Sequence, residues 1–373
     1  MVESYTDTPI SLSPVIKAVS GGCNLRCNYC FYSGNQPEIK RMSVDTLEAL
    51  TKHLLESPSK HFNFIWHGGE PMLLGIEFYE KALEAQTRYK RSDQDIRNSL
   101  QTNATLINQG WVDFFKRNSF GVGVSIDGPA ELHDLVRVQT DGRGSYDQVV
   151  SGINQLKAAN ISFGGIAVVN RITVNHPETM FAFIKDGGIP MALNRCNANT
   201  DDPEEVRKLA VGPAEYNAFL LKIFDLWINE NNPAIKIRPL DELVRATLGY
   251  HTESCSFLGQ CERYFTVDFN GDVYPCDEFL NDRYLLGNIK RQAVNELWQG
   301  GDFRRYYLGR RGVIINCEGC EWMDVCNGGC IRDWEGSKGM FNPKEISFCE
   351  AKRSLFQTIK LRLSELGYTR GII

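Results

Sequence analysis

The sequence has no long hydrophobic run, no excess of basic charge and no low-complexity stretch. No apolar segment approaches the roughly 20 residues that a membrane-spanning helix needs, and residues 1–14 are too polar for a secretory signal peptide. The net charge of −5 at pH 7 leaves no basic stripe for a polynucleotide. We therefore expect a cytoplasmic protein that binds neither membranes nor nucleic acid.

What the chain does contain is an ordinary globular composition and many cysteines. Hydrophobic residues make up 42% and charged residues 23% of the 373 positions, a length that predicts one large domain with a smaller one attached. The twelve cysteines do not indicate a disulfide framework, because the cytoplasm keeps thiols reduced. Metal ligation is the leading alternative use for them.

Three of these cysteines form a compact motif near the start of the chain. Cys23, Cys27 and Cys30 are separated by three and then two residues, so they can surround one face of a four-iron cluster and leave one iron open. Closely spaced cysteines also bind zinc, but no second pair or histidines lie nearby to complete four ligands. Structural thiols in a core are the other alternative. The stretch CNLRCNYC resembles the signature of the radical SAM superfamily, which implies that the open iron binds S-adenosylmethionine (SAM).

Short apolar runs alternate with amphipathic segments over the first two hundred residues. Strands are predicted at 14–20, 62–66, 97–102, 121–126, 162–169 and 191–194, and helices at 43–56, 76–90, 109–118, 145–159 and 177–186. This alternation indicates a parallel sheet covered by helices, either open or closed as a barrel. The superfamily resemblance implies an α/β fold with a partial (β/α)6 TIM-type barrel. A helical segment at 206–231 leads out of it, and we place the domains at 1–235 and 236–373.

Polar segments follow four of the predicted strands, where the active site of a parallel sheet collects. One of them is Gly68-Gly69-Glu70, which by itself is also typical of a tight turn. It resembles the GGEP motif of radical SAM enzymes, which implies that the backbone and Glu70 receive the amino group of SAM. Glycine has no Cβ to block approach of a cofactor to the main chain.

The other segments supply further candidate residues for the same cavity. The resemblance implies that Ser125 and Arg137 hold the ribose and the carboxylate of SAM, although Arg137 is equally compatible with a surface charge. Gln101 and Asn103, at the end of the third predicted strand, are expected to line this cavity.

Eight more cysteines lie beyond residue 235, and this number is sufficient for two sites of four cysteines each. Only Cys196 of the whole chain is then left without an expected metal site. Two zinc ribbons are the alternative. The spacing resembles the SPASM domain, which implies two fully cysteine-ligated iron–sulfur clusters. The resemblance implies one ligand set of Cys255, Cys261, Cys276 and Cys330, and a second of Cys317, Cys320, Cys326 and Cys349. We also predict a hairpin at 264–267 and 272–274 and a closing helix at 351–366.

Across its whole length, from CNLRCNYCFY through HGGEP, NSLQTN and SIDGP to YPCD, the chain resembles anaerobic sulfatase-maturating enzymes. The resemblance implies three [4Fe-4S] clusters, an external one-electron donor of flavodoxin or ferredoxin type, and reductive cleavage of SAM to a 5′-deoxyadenosyl radical. That radical takes hydrogen from a side chain of a protein or peptide, and a Cys or Ser becomes formylglycine. Asp277, after Cys276, then matches the base proposed in that family, although a turn or cap residue is the alternative.

Other reactions use the same domain plan. A maturase of ribosomally made peptides that forms side-chain crosslinks is the main alternative, and departures from the family at His67, Met72 and Ala104 alter the cavity wall that sets client specificity. Only 22 residues precede Cys23, so we expect no leader-binding domain there. A radical SAM dehydrogenase of a small molecule is a further alternative, but its relatives often have a shortened auxiliary module with one cluster, so eight C-terminal cysteines argue against it. A non-enzymatic electron carrier is the last alternative, and it would not need an iron left open for a ligand.

Overall fold

The computed structural model describes residues 10–30, 32, 39–198, 202–306, 317–335 and 347–368. The predicted α/β architecture is confirmed: six parallel strands alternate with helices as in the radical SAM barrel. The strands are β1 (Ser11–Ser20), β2 (Lys40–Arg41), β3 (His61–Gly68), β4 (Asp95–Thr102), β5 (Gly121–Ser125), β6 (Phe163–Val169), β7 (Met191–Arg195), β8 (Ile237–Arg238), β9 (Tyr264–Asp268), β10 (Asp272–Tyr274) and β11 (Gly287–Asn288).

The helices lie on the outside of this sheet and in the C-terminal part. They are α1 (Val44–Leu55), α2 (Ile76–Tyr89), α3 (Gln109–Asn118), α4 (Ala130–His133), α5 (Tyr146–Ala158), α6 (Pro177–Gly187), α7 (Glu204–Leu209), α8 (Pro213–Glu230), α9 (Leu240–Thr247), α10 (Cys255–Leu258), α11 (Val294–Gln299), α12 (Met323–Cys326), α13 (Ile331–Glu335) and α14 (Ser347–Glu365). Ser43 caps α1, as predicted, by accepting a hydrogen bond from the amide of Thr46 at 3.2 Å.

The core fills the space between the sheet and its helices. On β3 the fully buried Trp66 packs edge-on against Tyr79 of α2, with ring centroids 5.4 Å apart, and Tyr79 in turn contacts Phe114 of α3. Alternate residues of β3 are buried while the intervening ones are partly accessible, as expected of a barrel strand. Burial of these large rings supplies much of the stability of the barrel.

The sheet is continuous from the barrel into the C-terminal part. Strands β1, β3, β4, β5, β6 and β7 pair in parallel in that order, and β8 extends the row beyond β7. On the other side of β1, the predicted hairpin of β9 and β10 is present, and β9 pairs in parallel with β1. In this register Lys17 of β1 lies between His67 of β3 and Asp268 of β9. The cysteine-rich part is thereby tied to the first barrel strand.

The structure differs from the predicted elements mainly after β7. The helical segment at 206–231 is divided into α7 and α8, because Pro213 occupies the first turn of a new helix. Strand β8 begins at Ile237, just past the proposed boundary at residue 235. The division into domains 1–235 and 236–373 stays a prediction. Among the described residues, no helix has both the length and the apolar character needed to cross a membrane.

Candidate active site

The loop that follows β1 brings Cys23, Cys27 and Cys30 together at the carboxyl end of the strands. Each of these thiols interacts electrostatically with another of the three, and we call them the radical SAM thiol group. Burial raises the pKa of Cys23 and of Cys27 to about 11 and also raises the pKa of Cys30. Because iron binds thiolate, loading of this site must release the thiol protons.

The glycines of the Gly68-Gly69-Glu70 segment allow this segment to pack on the cysteine loop. A Cβ on Gly69 would lie 1.8 Å from the carbonyl oxygen of Gly22, and Gly68 has a φ of +121°. The Gly69 and Glu70 amides donate to the carbonyl oxygens of Val19 and Gly22, both at 2.7 Å. Contact between two stretches of main chain is therefore a sufficient reason for this glycine pair, beside the access for a cofactor that the sequence suggested.

Glu70 is completely buried and holds neighbouring strand ends together. Its carboxylate accepts hydrogen bonds from the amide of Met72 at 3.0 Å, the amide of Asn103 at 2.8 Å and the hydroxyl of Thr102 at 2.8 Å. Burial raises the pKa of Glu70 to about 7, although these three donors oppose the shift. The carboxylate thus joins the ends of β3 and β4 and holds the Gly68-Gly69-Glu70 segment at the carboxyl end of the sheet.

The remaining predicted side chains of the cavity meet in pairs. Gln101 donates to the Ser125 hydroxyl at 3.0 Å, which connects the ends of β4 and β5. Asn103 donates to the side-chain oxygen of Asn24 at 2.9 Å, and its amide nitrogen also lies 3.6 Å from Cys23 Sγ. Asn103 therefore lies beside the radical SAM thiol group, and Gln101 and Ser125 lie at the same carboxyl end of the strands.

Arg137 is a buried residue and not the surface charge that the sequence left open. Its Nε donates to Asp127 at 2.9 Å, and its Nη1 lies 3.9 Å from Cys27 Sγ. Asp127 also accepts from the Tyr29 hydroxyl at 2.5 Å and from the amide of Val168 at 2.8 Å. The carboxylate that fixes Arg137 was not among the predicted site residues, although its place directly after the apolar run of β5 was a usable signal.

Asp277 lies at the edge of the same site, against two residues that sequence reasoning did not pair with it. Lys17 Nζ is 3.6 Å from Asp277 Oδ2 and 3.2 Å from His67 Nδ1. The Lys17 side chain is only 1% exposed, whereas that of Asp277 is 38% exposed. His67 Nδ1 also accepts the Gly68 amide at 2.7 Å, so we place the ring proton on Nε2.

The charges of this trio are set by burial and by Lys17. Burial and Lys17 lower the pKa of His67 to about 3, so the ring is neutral near pH 7. Burial opposes ionisation of Asp277, but Lys17 and then His67 shift the balance and lower the pKa of the carboxyl. Since His67 is neutral at that pH, the Lys17 ammonium is the charge that keeps Asp277 ionised. Lysine within an apolar strand gave no sequence signal for this contact.

Seven of the eight C-terminal cysteines separate into two groups in the fold. Cys276 and Cys255 both interact with Cys330, and we call these three the proximal thiol group because Cys276 adjoins Asp277. Cys261 begins the short helical turn before β9. The distal thiol group comprises Cys317, Cys320, Cys326 and Cys349, which interact with one another. Cys330 therefore lies with Cys276 and Cys255, while the complete ligand sets stay a prediction.

The distal thiol group lines one cavity, with an empty volume of about 390 Å³ that is partly open to solvent. Aromatic rings of Trp322, Phe348 and Phe356 complete its wall. Arg353 Nη2 lies 3.7 Å from Cys320 Sγ, and its buried Nε has no hydrogen-bond partner in the described part of the chain. Four thiols, an apolar wall and a spare donor fit a cluster whose sulfides accept hydrogen bonds. Across the described ranges, no three His, Cys, Asp or Glu side chains form a site for a single metal ion.

A parallel barrel with three thiols at its strand ends, followed by a cysteine-rich extension, defines the class of radical SAM enzymes that carry an additional iron–sulfur domain. Family models agree: residues 18–184 match the radical SAM superfamily and residues 255–330 match an iron–sulfur cluster-binding domain, SPASM. Similar curated proteins include the cysteine-type anaerobic sulfatase-maturating enzyme of Clostridium novyi, 33% identical over 96% of this chain and 97% of that one. The serine-type enzyme of Bacteroides thetaiotaomicron is 32% identical over 95% and 91%.

A solved structure of native anSMEcpe with bound AdoMet and Cp18Cys peptide superposes with a TM-score of 0.84 and 32% identity. The match covers 95% of this chain and 99% of that one. The chain therefore belongs to the anaerobic sulfatase-maturating enzyme family of radical SAM proteins.

Proposed function

We propose that this protein oxidises a cysteine or serine side chain of a client protein or peptide to formylglycine and consumes SAM in doing so. The observation that carries the proposal is the 3.6 Å contact between Lys17 Nζ and Asp277 Oδ2. This contact sets a carboxylate of the cysteine-rich part beside the barrel site, where Lys17 also interacts with Cys30. A base in this place can take the proton that the oxidised side chain loses.

The cofactors of the proposal are SAM and three [4Fe-4S] clusters. The radical SAM thiol group would hold one cluster with three ligands, the proximal thiol group with Cys261 a second, and the distal thiol group a third. When bound and given one electron by an external flavodoxin- or ferredoxin-type donor, the first cluster and SAM supply the 5′-deoxyadenosyl radical that abstracts hydrogen. The reduced state that eleven iron-binding thiols require agrees with a cytoplasmic location.

The barrel residues have the task of holding SAM and excluding water. Gly68, Gly69 and Glu70 would position its amino group, while Ser125 and Arg137 would hold its ribose and carboxylate. Gln101 and Asn103 support this arrangement, because their hydrogen bonds reach Ser125 and the Cys23 loop respectively. Partly buried, mutually bonded side chains of this kind are pre-organised, so little reorganisation is needed when the ligand binds.

Asp277 has the task of accepting the proton from the side chain under oxidation. Its carboxyl is ionised near pH 7 because of the Lys17 ammonium, and its exposed fraction leaves one side open toward a client. Relatives with cysteine-type and serine-type names are almost equally similar to this chain, so both target residues belong in the test.

The test is an anaerobic reaction of the reconstituted protein with SAM, dithionite and paired sulfatase-type peptides that differ only in Cys or Ser at the target. We expect 5′-deoxyadenosine and a peptide aldehyde, both measured by mass spectrometry. Asp277→Asn should still cleave SAM but form the aldehyde at least about 100-fold more slowly, the usual effect of losing a positioned base. Asp282→Asn, an exposed acid nearby, is the matched control and should behave like the wild type.

Three results would contradict the proposal in different ways. Absence of 5′-deoxyadenosine would show that SAM is not cleaved reductively. A crosslinked peptide without aldehyde would replace formylglycine formation by crosslinking. Undiminished aldehyde formation by Asp277→Asn would remove Asp277 from the role of base.

A further inference from the structure

Two cations of helix α14, Lys352 and Arg353, face the thiols of the C-terminal part. Lys352 lines the distal cavity, and its ammonium interacts with Cys326 of the distal thiol group and with Cys330 of the proximal thiol group. Arg353 lies against the distal group alone, where it interacts with Cys349, Cys320 and Cys317. Lys352 therefore lies between the two thiol groups, whereas Arg353 lies beside the distal group.

Lys352 is held in this place by buried contacts. Its Nζ is 3.0 Å from Asp333 Oδ2, and it lies 5.5 Å from the centroid of the Phe348 ring. Asp333 also pairs with Arg195 at the end of β7, at 2.6 Å, so the three side chains carry a net positive charge. A Cβ on Gly329 would come within 3.0 Å of Lys352 Nζ and 3.5 Å of Cys326 Sγ, which shows how closely the chain surrounds the ammonium.

We propose that these two cations tune the auxiliary clusters: Lys352 raises the reduction potential of both, and Arg353 raises that of the distal cluster alone. The inference rests on the proposed function for the two ligand sets. A nearby positive charge stabilises the reduced, more negative state of a cluster, and the effect is large where water is excluded. Helix α14 supplies two cations to the distal site and one to the proximal site, where the opposite charges of Arg238 and Asp277 act against each other, so the distal cluster is the better electron acceptor.

This difference gives the electron a direction. Oxidation of a client to formylglycine removes one electron and one proton beyond the abstracted hydrogen atom. Asp277, the proposed base, takes the proton, and it adjoins Cys276 of the proximal thiol group, whose cluster takes the electron. Transfer of that electron from the proximal to the distal site oxidises one cluster and reduces the other, with no bond made or broken. The cations of α14 make this transfer favourable and return the proximal cluster to its oxidised state; the distal cluster then passes the electron to an external flavodoxin- or ferredoxin-type carrier.

The test is a potentiometric titration, followed by electron paramagnetic resonance, of anaerobically reconstituted protein. Cys23, Cys27 and Cys30 are replaced by Ala so that only the auxiliary clusters respond, and the wave that disappears in Cys317→Ala is assigned to the distal cluster. We expect Lys352→Met to lower both potentials, the distal one at least tenfold in its equilibrium constant, which is about 59 mV for one electron. Arg353→Met should lower the distal potential only.

Two further variants separate charge from structure. Lys352→Arg keeps the cation and should restore the wild-type potentials. Lys116→Met removes an exposed lysine of α3 in the barrel and should shift neither wave. Loss of Lys352 leaves Asp333 paired with Arg195, so the fold is expected to tolerate the change.

The outcomes decide the inference independently of the client. Unchanged potentials in Lys352→Met with full iron content would overturn it, as would equal shifts of both waves in Arg353→Met. Failure to find a distal wave that depends on Cys317 would overturn it together with that ligand set. The expected shifts in a protein that oxidises no client would leave this inference standing and remove the proposed function.

Discussion

Individual residues of the site are charged or neutral according to what lies against them. Lys17 is the clearest case, because a lysine with 1% of its side chain exposed costs much free energy unless it is paired. Its neighbours supply that pairing, through the Asp277 carboxylate and His67 Nδ1. The sequence predicted Asp277 but not Lys17, since only the pairing of β1 with β3 and β9 reveals that this strand position is enclosed.

We expect Lys17→Met to lower client oxidation at least about tenfold while SAM cleavage persists, because Asp277 loses the charge that holds it in place and ionised. The measurement is the ratio of aldehyde to 5′-deoxyadenosine. Lys60→Met, at an exposed position, is the control and should leave this ratio unchanged. An unchanged ratio in Lys17→Met would mean that Asp277 does not need the Lys17 ammonium for its role in client oxidation.

His133 provides a pH-dependent contribution to stability. This fully buried ring accepts the Asp127 amide at 3.2 Å and lies 3.0 Å from the Ser145 hydroxyl. Burial lowers the pKa of His133 to about 4; Arg137 adds to the shift, while Asp127 and Asp134 oppose it. The unfolded chain therefore binds a proton at a higher pH than the native state, and stability is lost as the pH falls from about 6.5 towards 4.

When the pH is lowered from 7.5 to 5.5, the free energy of unfolding of the wild type should fall by about 1 kcal/mol more than that of His133→Gln. The readout is the difference in free energy of unfolding between the two pH values, compared for the two proteins. His61→Gln, with an exposed ring, should follow the wild type. Parallel pH dependence of the wild type and His133→Gln would show that His133 is not neutral in the folded state.

At the scale of elements, alternation of apolar and amphipathic segments was sufficient to predict a parallel sheet covered by helices, and the superfamily resemblance implied its closure as a partial barrel. Each of the six barrel strands and five of the six helices between them was predicted to within a few residues, because long periodic segments carry a strong signal; the four-residue α4 was missed. Strand β8 with two residues and α10 with four have no periodicity to detect. The break between α7 and α8 was missed although Pro213 marks it.

The loops that follow β1 and β3 lie directly against each other at Gly69. Gly69→Ala would force a methyl group to 1.8 Å from the Gly22 carbonyl oxygen, so one loop must move. We expect a loss of about 2 kcal/mol or more in stability and a strong loss of SAM cleavage, measured by unfolding and by 5′-deoxyadenosine formation.

Gly187→Ala is the matched control, since nothing lies within 4 Å of the added methyl at the end of α6. Its stability and its SAM cleavage should remain near the wild-type values. Normal stability of Gly69→Ala would mean that the two loops do not approach as closely as the structure shows.

For the whole molecule, one sheet unites the barrel with the cysteine-rich part. The sequence predicted the hairpin of β9 and β10, but its parallel docking on β1 depends on a contact between residues about 250 positions apart, which periodicity cannot show. Docking is what brings Asp277 to Lys17 and sets the proximal thiol group next to the barrel site. The family resemblance implied the two sets of cysteines, which stay a prediction, whereas the cations that surround these thiols became visible only in the fold.

The central claim is that eleven cysteines, the ten of the three thiol groups together with Cys261, hold iron and sulfide rather than zinc. Its most direct test is the content of iron and acid-labile sulfide per chain after anaerobic reconstitution, measured together with zinc. We predict about twelve irons and about twelve sulfides, since each of three clusters contains four of both. Cys196→Ala should not change these values. A colourless protein that carries zinc and lacks labile sulfide would contradict the claim.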